Sequence, residues 1–323
     1  MAKYKDIGGT GVQTRSGAEE YTYPSPEGEL FYNSGNGQFQ FVGLGAGNWA
    51  SGGNLNTARK PDSGSDGTLT AAIVAGGYST ARVAVTEQYN GSSWTEVGDL
   101  NDARYAGALF GTSSSSIYTG GDTPPYTGNT ESWNNSSWTE VADLNTARRE
   151  IGRAGASNTS GLIAGGYASP GYQAIVETWN GTGWTEVGDL NTARSGLSGT
   201  GTATAALVAS GDTPPRTVNA EVWNGSSWTE VNNLNTGRMY AGTTGLSSTD
   251  ALLFGGLAAP GNTANTESWN GTSWTELNNL ATARQSLGGA GASGSSALAS
   301  GGASSAATEE WTFSHPIKTV TTS

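Results

Sequence analysis

An all-β ring of six four-stranded blades is the architecture this 323-residue sequence predicts. Three observations predict it. A near-identical string recurs about every 45 residues, a glycine pair ends an apolar run once per period, and an Asn-Gly turn precedes a later tryptophan. Composition agrees: 50 glycines and 11 tryptophans accompany only 13% charged residues. No G-X-Y period exists, which excludes collagen, and so much tryptophan does not suit a disordered chain.

The elements follow in chain order. Residues 1–48 form a leader in which Gly28-Glu29-Leu30-Phe31-Tyr32-Asn33-Ser34 and then Gly37-Gln38-Phe39-Gln40-Phe41-Val42 read as a short β-hairpin. Trp49 lies six residues before Leu55, the offset that separates Trp94 from Leu100. Trp49–Leu55 is therefore a fourth strand without the three that should precede it. The string Leu-Asn-Thr-Ala-Arg starts at Leu55 and returns, same or nearly so, at Leu100, Leu144, Leu190, Leu234 and Leu280, with spacings of 45, 44, 46, 44 and 46.

Within a unit, a small-residue strand leads to a Ser/Thr/Gly turn and an apolar strand such as Ala71-Ala72-Ile73-Val74-Ala75. That strand stops at a glycine pair: Gly76-Gly77, Gly120-Gly121, Gly165-Gly166, Gly255-Gly256 and Gly301-Gly302, with Ser210-Gly211 as the variant. After a variable loop, a third strand runs from Glu87 to Tyr89, and Asn90-Gly91 turns the chain into a fourth strand holding Trp94. Asn-Gly predicts a tight hairpin with both residues at positive φ.

The sixth unit has Glu309-Glu310-Trp311 but no Asn-Gly-x-x-Trp after it. Its missing strand is Trp49–Leu55, so the two ends of the chain are expected to close the ring and remove exposed sheet edges. All 11 tryptophans then fall on repeat positions, Tyr89 filling the one left over. The fourth-strand set is Trp49, Trp94, Trp138, Trp184, Trp228 and Trp274. The propeller spans 49–312, and 313–323 remain as a C-terminal tail.

The double glycine, the later aromatic pair and the arginine after the fourth strand resemble the kelch motif over about residues 49 to 311. The departure from that pattern is a scarcity of large aliphatics and an excess of Gly, Ser, Thr and Asn. The near-identical Ser-Trp-Thr-Glu-Val-x-Asp/Asn-Leu-Asn-Thr-Ala-Arg copies, with the leader hairpin, are also similar to kelch-like virion and tail-fibre proteins of tailed bacteriophages, marine ones especially. This resemblance implies attachment to other virion proteins through residues 1–48, host attachment through the propeller, and a homo-oligomer as one possible state.

The balance of 15 basic against 27 acidic residues, a net charge of −12, argues against a nucleic-acid partner. Zero cysteines and one histidine, His315, remove thiol chemistry, disulfides and most metal sites, so no cofactor or metal is expected. Neither a signal peptide nor an 18-residue apolar run is visible, so synthesis in a host cytoplasm without membrane insertion is expected. The Asn-Gly-Ser/Thr strings match a glycosylation pattern but are explained by the hairpin turn. Copper-oxidase chemistry of kelch-type enzymes needs cysteine and histidine, and a sialidase needs unrepeated arginines and an Asp-box that this chain lacks.

Two readings compete for the repeated arginines Arg59, Arg104, Arg148, Arg194, Arg238 and Arg284. A ring of guanidinium groups at the channel mouth would hold an anion. The favoured alternative pairs each with a repeated glutamate, Glu87, Glu131, Glu177, Glu221, Glu267 or Glu309, because a binding site seldom needs six equivalent copies. The tryptophans are likewise expected to pack between blades.

Loops after the glycine pairs alternate. Blades two and four carry Asp122-Thr123-Pro124-Pro125 and Asp212-Thr213-Pro214-Pro215; blades three and five carry Tyr167-Ala168-Ser169-Pro170 and Leu257-Ala258-Ala259-Pro260; blade six is trimmed. The candidate ligand surface is Tyr78, Asp122, Tyr126, Tyr167, Tyr172, Asp212 and Arg216, all in variable loops expected on one face. The function expected is a virion protein binding a host glycan or receptor. The alternatives are a purely structural decoration protein and a glycan-degrading enzyme; no catalytic residue is assigned.

Overall fold

A computed structural model describes residues 13–15, 30–42, 46–314 and 317–319 of the chain. The chain is a six-bladed β-propeller of four-stranded antiparallel blades, with no helix among the described residues. Blade one comprises Ser65–Thr68, Ala71–Ala75, Thr86–Tyr89 and Trp94–Glu96, from the axis outward. Blade six comprises Gly288–Ser293, Ser296–Ser300, Thr308–Ser314 and, from the other end of the chain, Ala46–Ser51. Trp311 pairs with Trp49 in that closing register. The closing strand starts three residues before the predicted Trp49 and ends before Leu55, which is buried against blade one instead.

The innermost strands stand next to one another in a closed ring, blade six returning to blade one. Each second glycine of the pair donates its N–H to the carbonyl of the next blade's repeated arginine, as in Gly77 to Arg104 (2.8 Å) and Gly166 to Arg194 (2.9 Å). The last of these bonds, Gly302 to Arg59 at 2.9 Å, closes the circle. Both glycines must be glycine-like to do this: Gly76 and Gly77 have φ of 63° and 116°.

Blades are glued by a repeated aromatic pair. Trp133 and Trp138 face each other across the third and fourth strands, centroids 5.3 Å apart, and both are buried. Trp223 and Trp228 sit in one cluster with Leu162 and Ala154 of the preceding blade, so each pair covers its neighbour's apolar strand. Burying an aromatic of this size contributes a few kcal/mol per side chain.

The Asn-Gly hairpins differ from the expected two-residue turn. Gly91 has φ of 93°, but Asn90 keeps an ordinary φ. The loop is four residues long between the paired Tyr89 and Trp94, and the Asn90 carboxamide accepts from the N–H of Ser92 (3.0 Å) and Ser93 (2.9 Å). Asparagine is there for its side-chain acceptor, not for a left-handed backbone.

A second sheet adjoins blade six. The predicted leader hairpin is present as Leu30–Asn33 against Gln38–Val42, and it is flanked by Gln13–Arg15 and by Ile317–Thr319. Of the tail at 313–323, Phe313 and Ser314 extend the third strand of blade six, and Ile317–Thr319 pair with the leader strand Gln38–Val42. His315, and the leader at 1–12 and 16–29, lie outside the described residues.

Candidate functional site

The six repeated arginines face the protein interior. All six side chains are buried, and each meets its glutamate: Arg59–Glu87 at 2.6 Å, Arg104–Glu131 and Arg238–Glu267 at 2.7 Å, Arg194–Glu221 at 2.8 Å, Arg284–Glu309 at 2.9 Å, and Arg148–Glu177. The glutamate's other oxygen accepts from the backbone and side chain of the repeat asparagine, as Asn191 to Glu221 at 2.9 and 2.7 Å. Burial lowers the guanidinium of Arg238 to about 10, opposed by Glu267. Among the described residues no ring of exposed guanidinium groups is present to take an anion; each arginine side chain is an internal brace that ties the inter-blade connector to the blade it enters, as Arg104 to Glu131 and to the carbonyl of Asn129.

The residue after each arginine forms a short bridge to the variable loop of its blade: Lys60 to Tyr78, Tyr105 to Asp122, Arg149 to Tyr167, Ser195 to Asp212 and Met239 to Leu257. In blade six Ala303 bonds to Gln285 in the same way. Six backbone-matched positions thus carry six different side-chain pairs, and this is where the ring loses its symmetry.

Over blades one to four the pairs join into one track. Tyr78 packs edge-on against Tyr105 (5.4 Å), and Arg82 lies over the Tyr105 ring (5.7 Å). Arg82 and Arg149 both hold the buried carboxylate of Asp122, at 3.3 and 3.0 Å. Arg149 in turn sits between the rings of Tyr126 (5.0 Å) and Tyr167 (5.6 Å). Tyr167 meets Tyr172 at 5.9 Å, and the Tyr172 hydroxyl donates to Asp212 at 2.7 Å. That bond raises the Tyr172 hydroxyl to about 12. Burial, with a bond to Asp122, does the same for Tyr105.

Six of the seven predicted surface residues therefore fall in the track. Arg216 does not; it donates to the carbonyl of Ala258 at 3.0 Å and borders a separate groove with Asp212. Tyr105, Arg149 and Arg82 were missed by sequence reasoning. The signal for the first two was available, since the residue following the repeat arginine differs in every unit: Lys60, Tyr105, Arg149, Ser195, Met239 and Gln285.

Beneath the track, the connecting turns close the channel mouth. Asp62, Ala106, Glu150, Gly196, Tyr240 and Ser286 all have φ between 52° and 60°. Their backbones hydrogen-bond in sequence around the axis, Glu150 to Ala106 (2.7 Å), then Gly196, Tyr240, Ser286 and Asp62 each to the one before. A cavity of about 10 Å³, room for one water, lies there between Asp62, Ala106, Glu150 and Tyr240. Among the described residues no group of three or more His, Cys, Asp or Glu side chains is placed to hold a metal.

No family model matches the chain, and no curated protein matches it. The loop face presents stacked tyrosines, two arginines and two carboxylates across blades one to four, with Met239, Leu257, Gln285 and Ala303 at the equivalent places beyond them.

Proposed function

We propose that the chain is a virion structural protein of a tailed bacteriophage, a kelch-like propeller displayed on the tail or fibre that binds host surface glycan through its loop face. Residues 1–48 attach it to other virion proteins. The observation that carries the binding part is the one-sidedness of the loop face. The blade scaffold is repeated nearly letter for letter, yet aromatic and charged side chains gather over blades one to four. Tyrosine faces suit the C–H faces of a pyranose, and fixed carboxylates and guanidinium groups suit its hydroxyls.

Attachment is supported by the leader sheet, which ties both ends of the described chain to one place beside blade six. The reading is of a binding protein and not an enzyme: Asp122, the most enclosed carboxylate of the track, is held by two arginines.

The test is to locate the chain in assembled particles by immunogold labelling and to measure glycan-array binding of the purified protein. Tail or fibre labelling, with binding lost when Tyr126, Tyr172 and Arg216 are changed to alanine, is the expected result. Capsid-wide labelling without glycan binding points instead to a decoration protein, and release of reducing sugar points to an enzyme.

A further inference from the structure

Blades two and four carry the same Asp-Thr-Pro-Pro loop in different company. In blade two, Asp122 is neutralised on both sides by Arg82 and Arg149. In blade four each of these arginines is replaced. Tyr172, which pairs with Tyr167 as Arg82 pairs with Tyr78, stands in the first place. Met239, the residue after the repeat arginine, stands in the second. Asp212 consequently has a hydroxyl donor at 2.7 Å and no cation paired with it among the described residues.

Two more changes open a space beside it. Arg216 occupies the place of Tyr126, and its guanidinium reaches the Ala258 carbonyl without joining any carboxylate among the described residues. Gly237 replaces the alanine found before the other five repeat arginines. A Cβ there would lie 2.8 Å from the carbonyl oxygen of Arg216 and 3.1 Å from that of Thr217, so only glycine lets this loop settle onto the connector. The result is a groove of about 530 Å³ between blades four and five, with Asp212 and Arg216 in its wall, Pro214 and Pro215 as apolar faces, and Asn235 and Thr236 as further polar edges. Its size falls within the range of small-molecule sites.

We infer that this groove is a subsite for one neutral hexose unit of the host glycan. The inference rests on the glycan-binding reading above and specifies its sugar class. A carboxylate and a guanidinium share one small space, so an acidic sugar is drawn to Arg216 but repelled by Asp212, an amino sugar the reverse, and in either case attraction and repulsion largely offset. A neutral pyranose meets neither repulsion. Its hydroxyls donate to Asp212 and accept from Arg216, charge-assisted bonds in both directions, while its C–H face lies on the proline rings.

The test is calorimetric titration of the full-length protein with methyl glycosides of glucose, galactose and mannose, with glucuronic acid and sialic acid alongside, and a glycan array read at 0.15 and 0.5 M salt. Binding of a neutral hexose, little changed by salt, with at least tenfold weakening in Asp212→Asn and in Gly237→Ala, is expected. A crystal of the wild-type protein soaked in that glycoside should show the sugar on Pro214 and Pro215, which keeps the idea testable if Gly237→Ala does not fold. Three results overturn it. Exclusive, salt-sensitive binding of acidic sugars removes the neutral class. Glycan binding that survives Asp212→Asn but is lost in Tyr167→Ala moves the site to the tyrosine track and leaves the glycan reading standing. Absence of any glycan binding removes both.

Discussion

Arg153, on the innermost strand of blade three, reaches across the propeller axis to Asp66 on the innermost strand of blade one, with Nη1 2.9 Å from Oδ2. Its Nη2 also donates to the carbonyls of Ser65 and of Gly289, the latter at 3.0 Å on the opposite blade. One side chain thus ties blades one, three and six, and it blocks the channel below the turn ring. Breaking a buried ion pair by removing one partner costs about 3–5 kcal/mol. Arg153→Ala should lose an amount of that order in urea unfolding at pH 8, and Asp66→Asn less, because a carboxamide keeps an acceptor for the guanidinium. No loss in Asp66→Asn would assign the effect of Arg153→Ala to packing alone, since asparagine keeps the shape of aspartate and removes only its charge.

The pH dependence of stability has a defined sign. Burial raises Asp62 to about 7, with Glu150 adding to the effect, and burial raises Asp66 to about 6 against the pull of Arg153. Both values stand above the usual range for an unfolded chain, so between pH 4 and 7 the native state holds more protons than the unfolded one. Stability therefore falls as pH rises through that window. Calorimetric Tm should be higher at pH 5 than at pH 8, and Asp62→Asn should raise the pH 8 value and flatten the slope.

The six arginine–glutamate braces should be far more costly to break than the glutamates of the outer rim. Glu177, paired with Arg148 and with Asn145 at 2.9 and 2.8 Å, is fully buried. Glu177→Ala leaves a buried guanidinium unpaired, for a loss of about 3–5 kcal/mol. Glu186 is on the exposed outer strand of the same blade, and its alanine variant should stay within about 0.5 kcal/mol of wild type. Chemical denaturation of the two variants side by side checks the contrast.

Glycine is required at the axis for closeness as well as for turns. A Cβ on Gly289 would lie 2.5 Å from the backbone nitrogen of Thr243 on the neighbouring inner strand, and one on Gly199 would lie 2.5 Å from the Arg153 carbonyl oxygen. Gly289→Val should therefore cost about 1–3 kcal/mol or more by overpacking. Gly183 has nothing within 4 Å of the same position, so Gly183→Ala should leave Tm unchanged within error.

The blade, its copy number and the closure of the ring were legible in the sequence because each is a local demand repeated. The glycine pair must reach positive φ, the third- and fourth-strand aromatics must bury one face, and Trp49 at its offset from Leu55 completes what Trp311 leaves open. The pairing of repeat arginine with repeat glutamate was legible for a related reason, since six copies of a charge inside a small-residue fold need six partners.

What only the tertiary structure decided lies between blades. Arg82, Asp122 and Arg149 are 40 and 27 residues apart along the chain, and the packing of blades one, two and three side by side brings them within ion-pair distance. The division of two identical Asp-Thr-Pro-Pro loops into a neutralised site and an open one depends on what the neighbouring blades present. Arg153 gives no signal in the repeat either, because its partners are on blades that adjoin it only across the axis. Periodicity reports how a residue sits within its own blade; the chemistry of this loop face is made by residues from neighbouring blades, and how those blades pack side by side determines which of them meet.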